Sequence, residues 1–373
     1  MAGGRVNARR VLLLGLAVGG CIVTFRDVPR VGTNEWREYL GEPGRALSAS
    51  ERLDSTPRIA WLAQAGRGIE GAPAVGERVT VVTSADRWVH ALDTRSGELF
   101  WRFRGPDAFG AGPVMGGGMV YAATEAGDGV VMAIDLFTGR RRWQSRLGRV
   151  AAPMVLRDST LYLVTQTGLL YALNARTGGT RWSRLAAPSR SGPLVTTAFI
   201  AVASLSDSLL TFTRDGRSVS RVGLPVGVVA PLAAWGDSLA IATSPAGAVL
   251  GLSLSGGEVR WRVDTGDPVA GSAAVAGDTV YVLTTACALW RLPAAGPPHG
   301  PPARLDCRTR AGPTLVQDGV LVATIRGELQ LHDRSGRARH WSIDIGGELR
   351  HPAIIQHGQI VIAPVLGDVV SLR

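Results

Sequence analysis

The chain repeats itself at a fixed spacing. The segment Ala91-Leu92-Asp93-Thr94-Arg95-Ser96-Gly97-Glu98-Leu99-Phe100-Trp101 returns as Ala133-Ile134-Asp135-Leu136-Phe137-Thr138-Gly139-Arg140-Arg141-Arg142-Trp143. It returns again as Ala172-Leu173-Asn174-Ala175-Arg176-Thr177-Gly178-Gly179-Thr180-Arg181-Trp182. Prolines mark the period independently. Pro73, Pro113, Pro153, Pro193, Pro231, Pro313 and Pro352 open successive units at gaps of 40, 40, 40, 38, 82 and 39 residues, the 82 being two units. A period near 40 residues identifies a repeat architecture and overrides the two or three domains that length alone would imply.

Within each unit the texture is β. Runs such as Met119-Val120-Tyr121-Ala122-Ala123 and Thr160-Leu161-Tyr162-Leu163-Val164 are short, β-branched or aromatic, and bounded by turn residues. Each unit reads as four short strands, the last carrying Trp, which is the pattern of a propeller blade. Seven units run from Pro73 to about His351, and Pro352–Arg373 supplies only the first strands of an eighth. The missing Trp strand stands at Ile59-Ala60-Trp61, and Trp61 is 40 residues before Trp101. The expected fold is therefore all-β: an eight-bladed propeller of four-stranded blades, closed by pairing the N-terminal strand with the C-terminal blade. Such closure leaves only short, protected edges.

The repeated residues have physical tasks. Gly97, Gly139 and Gly178 sit where a tight turn needs positive φ. Asp93, Asp135 and Asn174 can bond nearby turn amides. Each Trp offers a flat apolar face and one N–H donor, suited to packing against the next blade. The pattern Ala-x-Asp/Asn-x-x-Thr/Ser-Gly-x-x-x-Trp resembles the tryptophan-docking motif of the quinoprotein-type, PQQ-like repeat. The residues that carry it are Ala91, Asp93, Gly97 and Trp101; Ala133, Asp135, Gly139 and Trp143; and Ala172, Asn174, Gly178 and Trp182. Trp61, Trp261 and Trp341 match it in part. The resemblance covers roughly residues 57–373 and implies that each Trp wedges between adjacent blades. Two units depart from it. Thr213-Arg214-Asp215-Gly216 in the fourth is followed by no Trp, and in the sixth a Pro/Gly-rich loop at Pro293–Pro302 replaces the short turn. Packing there is expected to be weaker or supplied by other side chains.

The N-terminus carries a second signal. Arg5, Arg9 and Arg10 precede an apolar run at Val11–Val18, too short to span a bilayer and suited to a signal peptide. Val18-Gly19-Gly20-Cys21 resembles the bacterial lipobox, with Val-Gly-Gly in place of the commoner Leu-Ala-Gly. The resemblance implies lipid attachment at Cys21, and Ile22 after it favours the outer membrane by the rule of enteric bacteria. The expected organisation is a lipoprotein signal peptide at 1–20, the lipidated Cys and a flexible tether at 21–56 with a short helical turn near Asn34–Leu40, and the propeller at 57–373. A coil of ~35 residues has an end-to-end distance of about 30–35 Å, which keeps the propeller near its membrane.

An exported chain changes what its other cysteines can do. Of three Cys, Cys287 and Cys307 remain after Cys21. They flank the loop of the sixth unit symmetrically, so they fall opposite each other on paired strands, and an oxidising compartment permits a disulfide. Two separate buried thiols are the alternative that the sequence leaves open.

Charge and motifs point away from chemistry. Net charge is +10, and all 40 basic residues are Arg. That excess fits an anionic partner or simply a solvated surface. No aromatic-basic stripe is present, so no nucleic-acid partner is expected. The six His follow no zinc spacing, and no metal site is expected. Gly116-Gly117-Gly118 precedes no helix and is not a phosphate loop. The quinone-dependent enzymes of the resembled family are much longer and carry an adjacent Cys pair, a calcium site and a catalytic Asp. This chain has no adjacent Cys pair, so neither a cofactor nor catalysis is expected.

A lipobox, a short tether and a complete propeller together resemble the lipoprotein scaffolds of the outer-membrane β-barrel assembly machinery. That resemblance implies a non-catalytic protein on the periplasmic face of the outer membrane, with an envelope protein partner such as a β-barrel insertase. The competing reading is a propeller that binds or senses another periplasmic protein or a small ligand. A quinoprotein enzyme ranks third.

Overall fold

The computed structural model describes residues 47–53, 55–206 and 208–373. Every regular element among them is a strand. The strands form eight four-stranded antiparallel sheets, each in simple sequential order except the last. Blade one spans residues 74–104, blade two 114–146, blade three 155–185 and blade four 194–223. Blade five spans 233–264, blade six 274–304 and blade seven 314–344. Blade eight combines 354–372 with the N-terminal strand Ile59–Gln64, which pairs with Asp368–Leu372 from Ile59↔Leu372 to Gln64↔Asp368. The ring is an eight-bladed propeller closed by its two termini, as the repeat predicts.

Burial follows strand position. The second strands, such as Val79–Thr83 and Thr160–Val164, are buried throughout because sheets cover both their faces. That requires continuous apolar runs. The outermost strands alternate: Ile59–Gln64 and Arg339–Asp344 bury their Trp and expose the residues on either side. Each inter-sheet layer is apolar, with Val, Leu, Ile and Ala dominating.

The ring has two distinct ends. One bears the hairpin turns joining first to second and third to fourth strands, and is called here the hairpin face. The other bears the turns joining second to third strands and the connections between blades, and is called the connection face.

Part of the expected tether is built into the ring. Residues 47–51 run parallel to the innermost strand of blade seven, Thr314–Leu315. Ala49 N–H donates to Leu315 O at 2.9 Å, Leu315 N–H to Leu47 O at 2.8 Å, and Gln317 N–H to Glu51 O at 2.9 Å. Leu47 and Ala49 are buried. The alternation Leu47-Ser48-Ala49-Ser50 is a half-buried strand pattern, and these residues, within the expected tether, pair with blade seven. Residues 1–20 with Cys21, and the expected helical turn near Asn34–Leu40, lie outside the described residues.

Candidate functional site

The repeated motif assembles a lattice of inter-blade joints. Asp93 Oδ1 accepts the amides of Arg95 and Ser96 at 2.8 and 3.1 Å. Asp135 Oδ1 takes those of Phe137 and Thr138, and Asn174 Oδ1 those of Arg176 and Thr177. These bonds fold the turn so that its glycine follows in the left-handed region: φ is 74° at Gly97, 66° at Gly139 and 74° at Gly178. The Trp of the preceding blade lies against that glycine. A Cβ on Gly97 would stand 2.7 Å from the Trp61 ring, one on Gly139 2.8 Å from Trp101, and one on Gly178 2.6 Å from Trp143. Glycine is therefore required twice, by φ and by the indole.

At five joints the indole N–H closes the contact. Trp61 Nε1 donates to Thr94 O at 3.0 Å, Trp101 to Leu136 O at 2.8 Å and Trp143 to Ala175 O at 2.9 Å. Trp182 reaches Arg214 O at 3.2 Å and Trp261 reaches Ala294 O at 3.0 Å. Ala91, Ala133 and Ala172 pair across the strand with Trp101, Trp143 and Trp182, at the point where the ladder shifts by one residue. A small residue is needed there: a Cβ on Gly251, the equivalent in blade five, would meet Trp261 at 2.3 Å. Trp341 is buried, but its Nε1 has no partner among the described residues. Blade eight takes its outer strand from the other end of the chain, so no third-to-fourth hairpin stands beside Trp341 to offer a carbonyl.

The two departing blades use other joints. Ser220 stands at the Trp position of blade four, against Gly257 and beside Val222. In blade six Ala303, which pairs with Leu289 two residues beyond the Trp position, lies against Gly336 together with Leu289 and Leu305. Blade six also contains a disulfide between Cys287 and Cys307, with Cα atoms 5.6 Å apart. Arg214 adds a clip that sequence reading missed. Its guanidinium donates to Tyr162 Oη and Asp158 Oδ2, both at 3.0 Å, tying the turn of blade four to blade three. Only a folded ring brings residues 52 and 56 positions apart into that contact.

The seam between blades eight and one adds a polar joint to its apolar layer. Gln359 is buried. Its Nε2 donates to Thr94 O and to Ser371 Oγ, and its Oε1 accepts from Arg373 at 3.3 Å. A cavity of about 480 Å³ opens beside it, lined by Glu77, Thr94, Arg95, Gln356, His357 and Arg373.

Burial lowers the pKa of three histidines. Burial holds the imidazole of His90 down at about 4, with Arg102 adding to the effect and Asp86 opposing it. Burial likewise holds that of His351 down to about 4. His332 is lowered by burial and by Arg339. Among the described residues no group of three His, Cys, Asp or Glu could hold a metal ion. The three cysteines are not adjacent in sequence. This donor set does not fit the cysteine pair and calcium ligands of a quinone centre.

Several large apolar residues are exposed, and three of them sit on neighbouring segments. Leu185 ends the outer strand of blade three and is 75% exposed, while Leu205 and Val229 are each 41% exposed. All three lie at the connection face. Leu205 N–H donates to Pro188 O at 3.0 Å, and Val228 N–H to Ser204 O at 3.5 Å, so the turn of blade four is held between the connections on either side of it. Leu185, Leu205 and Val229 sit on those three neighbouring segments. Exposed apolar side chains on adjacent segments are candidates for a contact surface.

The comparisons with known proteins agree with this architecture. The model of the family described as Outer membrane protein assembly factor BamB matches residues 32–205 and 206–296. Outer membrane protein assembly factor BamB of Yersinia pestis is 29% identical over 228 residues, covering 57% of this chain and 56% of that protein. Quinohemoprotein alcohol dehydrogenase of Comamonas testosteroni is 28% identical over 158 residues, covering 35% of this chain and 22% of that one. The chain thus spans about half the length, or less, of these curated relatives. The crystal structure of BamB from Moraxella catarrhalis superposes with a TM-score of 0.71 at 16% identity, covering 86% of this chain and 98% of that one. The Comamonas testosteroni enzyme superposes with a TM-score of 0.72 at 12% identity, covering 91% and 80%. At such identities the likeness is one of fold, and the same ring serves both assembly factors and dehydrogenases.

Proposed function

The chain belongs to the family of outer membrane protein assembly factor BamB, and from that premise we propose that it is a non-catalytic scaffold of the bacterial envelope. In this reading the ring is tethered through a lipid on Cys21 at the periplasmic face of the outer membrane. It docks on a protein partner, a β-barrel insertase, and supports barrel assembly by protein–protein contact. The observation that carries the docking role is the apolar surface of Leu185, Leu205 and Val229 at the connection face. A closed ring is a stiff platform for it, because every blade is joined to its neighbours through buried side chains.

The test is capture of the tagged full-length protein from native membranes, followed by mass spectrometry. Enrichment of a barrel insertase is expected, and Leu205→Glu should diminish it while leaving the melting temperature unchanged. Capture of other envelope proteins alone, with the protein anchored and folded, would replace this reading. Cys21→Ser should move the protein from the membrane to the soluble fraction; unchanged retention would remove the lipid anchor from the account.

A second reading rests on the 480 Å³ cavity beside Gln359, whose lining of Glu77, Arg95, His357 and Arg373 suits a small polar ligand. It is distinguished by ligand-induced stabilisation in the absence of any protein partner.

A further inference from the structure

Blade six differs from the rest in three ways that meet at one bond. Its outermost strand is Ala303–Arg304, two residues long, where every other blade has six. Where most blades set the docking Trp against the next blade's glycine, it sets Ala303, two residues beyond the Trp position, against Gly336. Its turn between second and third strands ends in Cys287, with φ of 58°. The equivalent positions in blades two, three, five, seven and eight are Gly129, Gly168, Gly247, Gly327 and Gly367, all at positive φ, and in blade one it is Arg87 at 75°. A side chain is disfavoured in that conformation, and at Cys287 the side chain is committed to a covalent bond. That sulfur is bonded to Cys307, three residues past the end of the truncated strand. Leu305 N–H donates to Cys287 O at 3.0 Å between them. The disulfide stands where a six-residue strand and, in most blades, an indole hold the outer edge elsewhere.

The two sulfurs are unequally placed. Cys287 is fully buried. Cys307 is partly exposed and lines a cavity of about 290 Å³ with Asp306, Arg308, Thr324, Arg326, Glu328 and Arg339. Three guanidinium groups against two carboxylates make that cavity cationic, which favours approach of a thiolate and the thiolate form of Cys307 once released.

We propose that the Cys287–Cys307 disulfide is a reducible joint, a substrate site for a dithiol reductant such as a thiol–disulfide oxidoreductase, attacked at Cys307. The incoming thiolate bonds to Cys307 Sγ as the Cys287–Cys307 bond breaks, and Cys287 leaves as a thiolate that takes up a proton. The second thiol of the reductant then attacks its own sulfur in the mixed disulfide. The reductant departs oxidised to a disulfide and both cysteines are left reduced. Opening frees the segment 293–310 and unpairs the outer edge of the third strand, Ala288–Pro293, which is then able to accept a partner strand. The other seven blades keep their own joints, so the ring stays closed.

The experiment treats the full-length protein with reduced glutathione, traps the products by alkylation, and maps them by mass spectrometry alongside limited proteolysis. The expected result is reduction below the thermal transition, with the glutathione adduct on Cys307. Cleavage within 293–310 should rise roughly a hundredfold on opening a loop of this length, with cleavage elsewhere unchanged. Cys287→Gly restores the residue of the other blades and should give native-state labelling of Cys307 together with the same fast cleavage. Reduction only on global unfolding, an adduct on Cys287, or a loop equally resistant in both redox states would overturn the proposal.

Discussion

A single tryptophan in this ring acts through its face and its N–H together. Trp101 is 1% exposed, lies against Gly139 and donates to Leu136 O. Trp101→Ala should cost about 3–5 kcal/mol of stability, the usual range for emptying a buried aromatic site. Trp101→Phe keeps most of the face and orphans the carbonyl, so about 1 kcal/mol is expected from the lost bond. Trp341→Phe should cost less than Trp101→Phe, because its N–H has no partner to lose. Denaturant unfolding of the three variants orders them; equal costs at 101 and 341 would refute the role of the indole bond. His351 supplies a pH signature. Burial holds its folded pKa at about 4, against 6.5 for a free imidazole. The unfolded chain therefore binds a proton that the folded chain refuses. The resulting loss of stability is absent above pH 6.5, grows as pH falls to about 4, and reaches about 3 kcal/mol below it. His351→Leu should flatten that part of the stability profile, and an unaltered slope would show that another group carries it.

At the scale of the element, outer strands solve two problems at once. Their inner edge completes the blade and their outer edge must not recruit another chain. Most carry exposed arginine: Arg102 and Arg104, Arg181 and Arg184, Arg260 and Arg262, Arg304, and Arg339. Charge on an exposed edge discourages strand addition, which accounts for part of the basic excess without an anionic partner. The seam is the other elemental feature. Gln359→Leu removes the donor shared by Thr94 O and Ser371 and should cost about 1–3 kcal/mol, the range for a buried polar group left unpaired. A loss under ~0.5 kcal/mol in thermal unfolding would mean that strand pairing alone closes the ring. Blade number, strand order and N-to-C closure were legible in the sequence because each blade repeats a local pattern of period 2 and a turn signature at fixed offset. The joints at Ser220 and Ala303 were not, because their replacements, Leu289 and Leu305 among them, come from positions that no repeat marks. Arg214 was hidden for the same reason: its partners Tyr162 and Asp158 are neighbours only across a blade boundary. The docking of Leu47 and Ala49 on blade seven was masked by a composition that reads as linker.

At the scale of the whole molecule, the eight joints make a rigid body whose variable parts are turns and connections. One end of that body carries Leu185, Leu205 and Val229, and blade six carries a joint of different chemistry from the others. Little of this surface was legible in the sequence. An exposed leucine in a strand-ending position, such as Leu185, has the same local pattern as a buried one. Exposure is decided by which loops lie beside it. Family membership supplies the direction of the functional reading, and the surface supplies the place where it can fail.

The most direct test of the scaffold account is photo-cross-linking in living cells from a reactive residue at position 205, with position 337 on the hairpin face as control. Arg337 is exposed and lies in a turn of blade seven. The account predicts a specific adduct with a β-barrel insertase from 205 and none from 337. Adducts with the insertase from 337 and not from 205, or none from either in a protein that is folded and membrane-bound, would contradict it.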